Sequence, residues 1–197
     1  MKIGLGIHLP ITGQDKIPAG QLYAPPTLNT VTPNHGPFTG GTLVMCEGSD
    51  FVAGTQVSFG LTWVLGTLID SQHMTAITPG DPAGIVGTQL TAPDGQFCVG
   101  PNFTYDPPPT VTGIVPNTGP AAGGTAITDL QGTGFLDDPG PPTVTFGGVP
   151  ATSVVRVSAT RITCTTPAHA AGAVDVVVTN ADGQTSGASG AGLFTYL

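Results

Sequence analysis

The sequence predicts an all-β protein: two antiparallel β-sandwiches in tandem, preceded by an extended arm. Three observations carry this. Short apolar runs of strand length recur between Gly/Pro-rich turns, as in sandwiches built of many short strands. No window shows the 3.6-residue periodicity of a helix. One unusual connection occurs twice, as Pro33-Asn34-His35-Gly36-Pro37 continuing to Gly40-Gly41-Thr42, and as Pro116-Asn117-Thr118-Gly119-Pro120 continuing to Gly123-Gly124-Thr125.

In chain order, residues 1–24 match neither copy. Ile3, Leu5, Ile7, Leu9 and Ile11 alternate there, giving an extended segment one apolar edge, while Pro10 limits pairing beyond it. These five side chains are the expected docking elements, adding as a strand to a neighbouring sheet. Pro25-Pro26 opens the first sandwich, residues 25–106, with strands expected near 27–31, 42–48, 55–59, 64–69, 74–78, 85–91 and 96–104. Pro107-Pro108-Pro109 is a stiff joint. The second sandwich, residues 107–197, is expected to place strands near 110–115, 125–131, 143–146, 153–157, 161–165, 172–179 and 184–196. In the repeated connection, proline ends a strand because it brings no N–H to the ladder. Asn and Gly are expected to supply left-handed backbone for a sharp reversal, and the Gly-Gly pair to let the chain pass close to other backbone.

The two copies stay in step over their whole length. Val57-Ser58-Phe59-Gly60 corresponds to Val144-Thr145-Phe146-Gly147, Asp94-Gly95-Gln96 to Asp182-Gly183-Gln184, and Phe103-Thr104-Tyr105 to Phe194-Thr195-Tyr196. The offset drifts from 83 to 91 residues, growing where the second copy inserts loop residues such as Asp137 to Pro142.

Charge narrows the function. The formal net charge is -8. Residues 25–106 carry Glu47, Asp50, Asp70, Asp81, Asp94 and Asp106 with no Lys or Arg, and residues 107–197 set five Asp against Arg156 and Arg161. A body this acidic repels phosphate backbones, which argues against nucleic-acid binding. No apolar run approaches a membrane span, and the N-terminus is a poor signal peptide.

No residue pattern supports catalysis, a cofactor or a metal. His8, His35, His73 and His169 lack ligand spacing, and Asp137-Asp138 reads as a solvated loop. Neither a Gly-rich phosphate loop with its Lys nor a paired-carboxylate arrangement is present. Cys46, Cys98 and Cys164 fall in expected strands and read as buried, inert thiols, with a Cys46–Cys98 bridge as an alternative. Trp63 stands just after Gly60, where Leu61-Thr62-Trp63 takes the place of a small-residue turn, and is a candidate contact anchor as well as a candidate core residue.

The second copy carries the clearest family resemblance. Val115-Pro116-Asn117-Thr118-Gly119-Pro120, Gly132-Thr133-Gly134-Phe135, Val144-Thr145-Phe146-Gly147-Gly148, Ile162-Thr163-Cys164-Thr165-Thr166-Pro167 and Phe194-Thr195-Tyr196 resemble the IPT/TIG family of immunoglobulin-like domains. The resemblance covers about residues 25–197 and implies tandem immunoglobulin-like sandwiches without shared catalytic residues. IPT/TIG-type domains in phage virion structural proteins are also similar. That likeness implies a non-enzymatic structural or decoration protein of a tailed-phage virion, on capsid, neck or tail, docked by its arm. Its partners would be other virion proteins, with host-surface glycans as a further candidate and no nucleic acid or membrane. A homo-oligomer within the assembly, made in the host cytoplasm and located in the virion, would follow. The alternative is an exported bacterial cell-surface or carbohydrate-binding immunoglobulin-like module.

Overall fold

The computed structural model describes residues 24–188 and 190–197. The docking residues expected in the arm, Ile3, Leu5, Ile7, Leu9 and Ile11, lie outside the described residues. Eleven strands come first: β1 (Thr27–Thr32), β2 (His35–Pro37), β3 (Leu43–Ser49), β4 (Gln56–Phe59), β5 (Thr62–Leu65), β6 (Thr67–Leu68), β7 (His73–Ile77), β8 (Gly84–Val86), β9 (Thr88–Thr91), β10 (Phe97–Val99) and β11 (Phe103–Asp106). Nine follow: β12 (Thr110–Val115), β13 (Thr118–Gly119), β14 (Ala126–Thr133), β15 (Thr143–Phe146), β16 (Val149–Pro150), β17 (Thr152–Ser158), β18 (Arg161–Thr165), β19 (Gly172–Thr179) and β20 (Leu193–Tyr196), with a single 3-10 turn at Gly190–Gly192. The chain divides into two compact units. One holds Gly41–Pro79 and Ile85–Phe103 with the described residues up to Asn34; the other holds Thr104–Leu197 with His35–Gly40 and Gly80–Gly84.

Within the first set of strands, one sheet runs β1–β3–β7–β6 and another β10–β9–β4–β5, with a short β2–β11–β8 sheet beside them. Strand alternation sends Val31, Val44, Cys46, Met74 and Ala76 inward from one sheet, and Val57, Phe59 and Leu90 inward from the other. Phe59 meets Phe103 edge-on, ring centroids 5.3 Å apart. The second set forms sheets β12–β14–β18–β17 and β13–β20–β19–β15–β16 around Ile127, Leu130, Phe135, Val144, Ile162, Val176 and Val178. There Phe146 and Phe194, the counterparts of Phe59 and Phe103, repeat the edge-on contact at 5.4 Å. Each such fully buried phenyl contributes about 1.5–3 kcal/mol of transfer free energy, so the repeated sequence is a repeated core.

The doubled connection differs from its sequence reading. Asn34, Gly36, Asn117 and Gly119 do not adopt left-handed backbone. Positive φ falls instead on Gly40 and Gly41 (75° and 89°) and on Gly123 and Gly124 (75° and 82°). The part after Pro-Asn is a short strand: β2 (His35–Pro37) pairs parallel with β11, and β13 (Thr118–Gly119) parallel with β20. The reversal comes after it, closed by Gly40 N–H to Pro37 O and by Gly123 N–H to Pro120 O, each 2.9 Å. Close approach is real at Gly123, where a Cβ would come within 2.5 Å of the Pro167 backbone.

Two further devices are shared. The Thr78 hydroxyl accepts from Thr42 N–H at 3.1 Å, and Thr78 N–H donates to Thr42 O at 2.9 Å. Thr166 makes the same pair with Thr125, at 3.0 Å for both bonds. Gly48 and Gly132 sit where β1 and β12 shift register; a Cβ at Gly48 would collide with the Thr27 carbonyl, and one at Gly132 with the Thr110 carbonyl.

The expected strand 85–91 is interrupted at Gly87, whereas its counterpart β19 runs unbroken. The expected strand 184–196 is mostly loop and 3-10 turn, and only Leu193–Tyr196 is extended. Gly192 is placed there so tightly that a Cβ would press on Val111 at 2.7 Å.

Candidate functional site

The outer face of the β10–β9–β4–β5 sheet is the most distinctive surface of the first sandwich. Antiparallel register sets two rows of side chains across its four strands. One row is Phe97–Thr91–Gln56–Leu65, and the next is Val99–Gln89–Ser58–Trp63. Facing residues in a ladder share a side of the sheet, and the alternate set (Cys98, Leu90, Val57, Val64) points the other way. Leu90 and Val57 are fully buried, which fixes the two rows as the outer face.

The rows are apolar at both ends and polar between. Phe97 is 60% exposed, Val99 74%, Leu65 65% and Trp63 43%. The centre holds Gln56, Gln89, Thr91 and Ser58, with the Gln89 amide reaching Thr91 Oγ1 at 3.5 Å. Ser58, facing Trp63 across the ladder, is buried. None of the eight residues is charged, although acids dominate the surrounding sandwich. Both outer strands, β10 and β5, are edges of this sheet. At the β5 edge an open groove of about 310 Å³ is lined by Val64 and Leu65 of β5 together with Leu43, Thr67, Thr75, Ala76 and Ile77.

Trp63, singled out by the sequence, is therefore on the surface of an edge strand. The sequence missed Phe97, Val99, Gln56 and Gln89 as its companions. Two-residue alternation was visible in each strand, but the pairing that brings distant strands into one face is not a local signal.

Among the described residues no group of three or more His, Cys, Asp or Glu could hold a metal ion. His35 lies with Nδ1 2.6 Å from Asp106 Oδ2 and Nε2 3.3 Å from Asp138 Oδ2. Burial disfavours its charge, but the hydrogen bonds to both carboxylates and their negative field outweigh that and raise its pKa. His73 bonds Asp70 at 2.8 Å, and His169 stacks on Tyr196. The three cysteines are unbridged, with Cys46 and Cys164 buried. Burial pushes the Cys46 thiol up to about 11 and that of Cys164 to about 12, which leaves neither poised as a nucleophile. Asp137 lies 3.7 Å from Arg156.

The IPT/TIG domain model matches residues 26–105 and again 109–196. The chain belongs to the IPT/TIG domain family. Among curated proteins, transcription factor COE2 of Danio rerio is 35% identical over 79 residues, 40% of this chain and 14% of that protein. Human Fibrocystin-L is 27% identical over 159 residues, 78% of this chain and 4% of that protein. The chain thus spans a small fraction of the relatives it matches. Among solved structures, the Plexin A4 extracellular region superposes with a TM-score of 0.57 at 20% identity, over 87% of this chain and 16% of that one. At that identity the likeness is one of fold. The tandem IPT/TIG sandwiches are immunoglobulin-like.

The two IPT/TIG copies can be compared position by position on this face. Trp63 opposes Ser58, and Pro150 opposes the equivalent Thr145. Phe97 opposes Thr91, and Thr185 bridges the equivalent Thr179. Gln89 is replaced by Val177 and Gln56 by Thr143. The IPT/TIG core is duplicated; the aromatic-rimmed amide face belongs to the first copy alone.

Proposed function

We propose that this chain is a non-enzymatic carbohydrate-binding module, with the outer β10–β9–β4–β5 face of its first IPT/TIG domain as the binding surface. The carrying observation is the composition of that face: exposed Trp63 and Phe97 flank an uncharged stripe of Gln56, Gln89 and Thr91. A sugar ring has apolar C–H faces and a rim of hydroxyls. Aromatic side chains suit the faces, and amides and hydroxyls, donors and acceptors at once, suit the rim. A continuous apolar surface would suit a protein partner better, and a charged one an ionic polymer. The second domain, with Pro150 and Thr185 at the same places, is read as a spacer.

A virion setting, with the arm as the docking element, remains a proposal that rests on residues 1–24; a glycan-binding face is compatible with it. A nucleic-acid role is not favoured. Besides the acidic balance, Arg156 donates to Phe135 O at 2.6 Å, and Arg161 donates to Thr128 O and pairs with Asp129.

The test is native gel electrophoresis through neutral polysaccharides (glucan, mannan, galactan, xylan). At least one should retard the wild-type chain and a Pro150→Ala/Thr185→Ala control, and should not retard Trp63→Ala/Phe97→Ala. Unretarded migration of the wild type in all four would refute the reading.

A further inference from the structure

Resting on that reading, we infer that the ligand is an internal stretch of an extended, uncharged polysaccharide lying across the strands, and not a chain end. Three features point to this. The rows end at edge strands on both sides, β10 and β5, so nothing hydrogen-bonded within the sheet walls off either end. Recognition of a terminus needs a closed concave pocket that stops the chain. The apolar contacts are also far apart: Phe97 and Trp63 stand on the two outermost of four strands and in adjacent rows, three interstrand spacings across and two residues along, or roughly 16 Å from each other. One sugar cannot cover both, whereas a short run of linked sugars can, with its middle units over Gln56, Gln89 and Thr91. Finally, the surface does not stop at β5. Leu65 belongs both to the row Phe97–Thr91–Gln56–Leu65 and to the lining of an open groove at the β5 edge, so exposed surface continues past the edge strand. The absence of charge along both rows, in a domain that carries six acids and no Lys or Arg elsewhere, selects a neutral polymer.

The experiment uses the full chain and neutral oligosaccharides, from monosaccharide to octasaccharide, of whichever polymer retards it. Binding is read from the emission of Trp63, the single tryptophan, and by calorimetry. Affinity should rise steeply with length until both aromatics are covered and then level off. Reduction of the terminal sugar should leave it unchanged. Trp63→Ala and Phe97→Ala should each weaken the longest ligand roughly tenfold, the loss of one aromatic contact, while Trp63→Phe keeps most of the binding. Each variant is first checked for an unchanged thermal midpoint. Because the length series uses the wild-type chain, it stands even if a variant fails to fold. Equal affinity for monosaccharide and octasaccharide, or loss of binding on modifying the terminus, overturns the inference while leaving the glycan reading in place. No binding by any oligosaccharide, with no retardation by any polymer, overturns both.

Discussion

Thr78 closes on Thr42 through two hydrogen bonds, one from each backbone N–H, and Thr166 closes on Thr125 in the same way. In each domain a nearly inaccessible threonine hydroxyl takes the amide of the residue that follows the Gly-Gly pair. The clasp explains why a threonine stands at both places, just before Pro79 and Pro167.

Thr78→Val and Thr166→Val keep shape and remove the acceptor, leaving an amide without its partner. Each is expected to cost about 1–3 kcal/mol, read as a lowered urea midpoint for the domain concerned. Thr→Ser at the same sites should recover most of it. A midpoint unchanged by either valine would show that the clasp contributes nothing.

Gly132→Ala places a methyl group on the Thr110 carbonyl and against the Phe135 ring. Overpacking of this kind costs about 1–3 kcal/mol. Gly124→Ala meets nothing within 4 Å, and its penalty comes only from its φ of 82°. Thermal unfolding of the pair should rank Gly132→Ala as the more damaging.

Thiol reactivity should be graded by depth. Cys46 and Cys164 are buried and their thiols are pushed to about 11 and 12, while Cys98, whose thiol pKa is also raised by burial, is only half-buried and so the one a reagent can reach. An aromatic disulfide reagent near neutral pH should modify Cys98 alone in the folded chain, and all three cysteines in denaturant. Cys98→Ser should abolish the native reaction. Fast native labelling of Cys46 or Cys164 would contradict this arrangement.

His35 links stability to pH. Its folded pKa is raised above the ordinary 6.5, so the protonated form is held more tightly in the folded state than in the unfolded chain. That contribution is complete below the unfolded value and disappears as pH rises through the folded one. As pH rises from the unfolded value of 6.5 through the raised folded one, the wild type should lose stability relative to His35→Asn. Parallel profiles for the two proteins would show that the Asp106 contact does not favour the charged ring.

Much of the fold was legible because it rests on local signals written twice. Counting alone aligned Phe59 with Phe146 and Phe103 with Phe194, and in the structure the same edge-on contact forms within each copy, Phe59 on Phe103 and Phe146 on Phe194. The short parallel strands were not legible. His35–Pro37 and Thr118–Gly119 have turn composition, and their pairing with β11 and β20 bridges about 70 to 80 residues of sequence. The break at Gly87 was hidden for a related reason, since β8 and β9 on either side of it belong to different sheets, a difference of partner that the local run does not record. At the candidate site, Trp63 stood out because Leu61-Thr62-Trp63 stands in place of a small-residue turn. Phe97 did not, because its meaning depends on the register of three ladders.

The placement of basic residues has a practical corollary. Outside residues 1–24 the only sites for a protease that cuts after Lys or Arg are Arg156 and Arg161, the first inside β17 and the second opening β18. Amine-directed crosslinkers likewise find side-chain targets only at Lys2 and Lys16. For trypsin and for amine chemistry the paired domains are a nearly blank block. A lysine-directed crosslink introduced into the native protein therefore reports on the N-terminal segment, which makes that reagent a selective probe of whatever the segment touches.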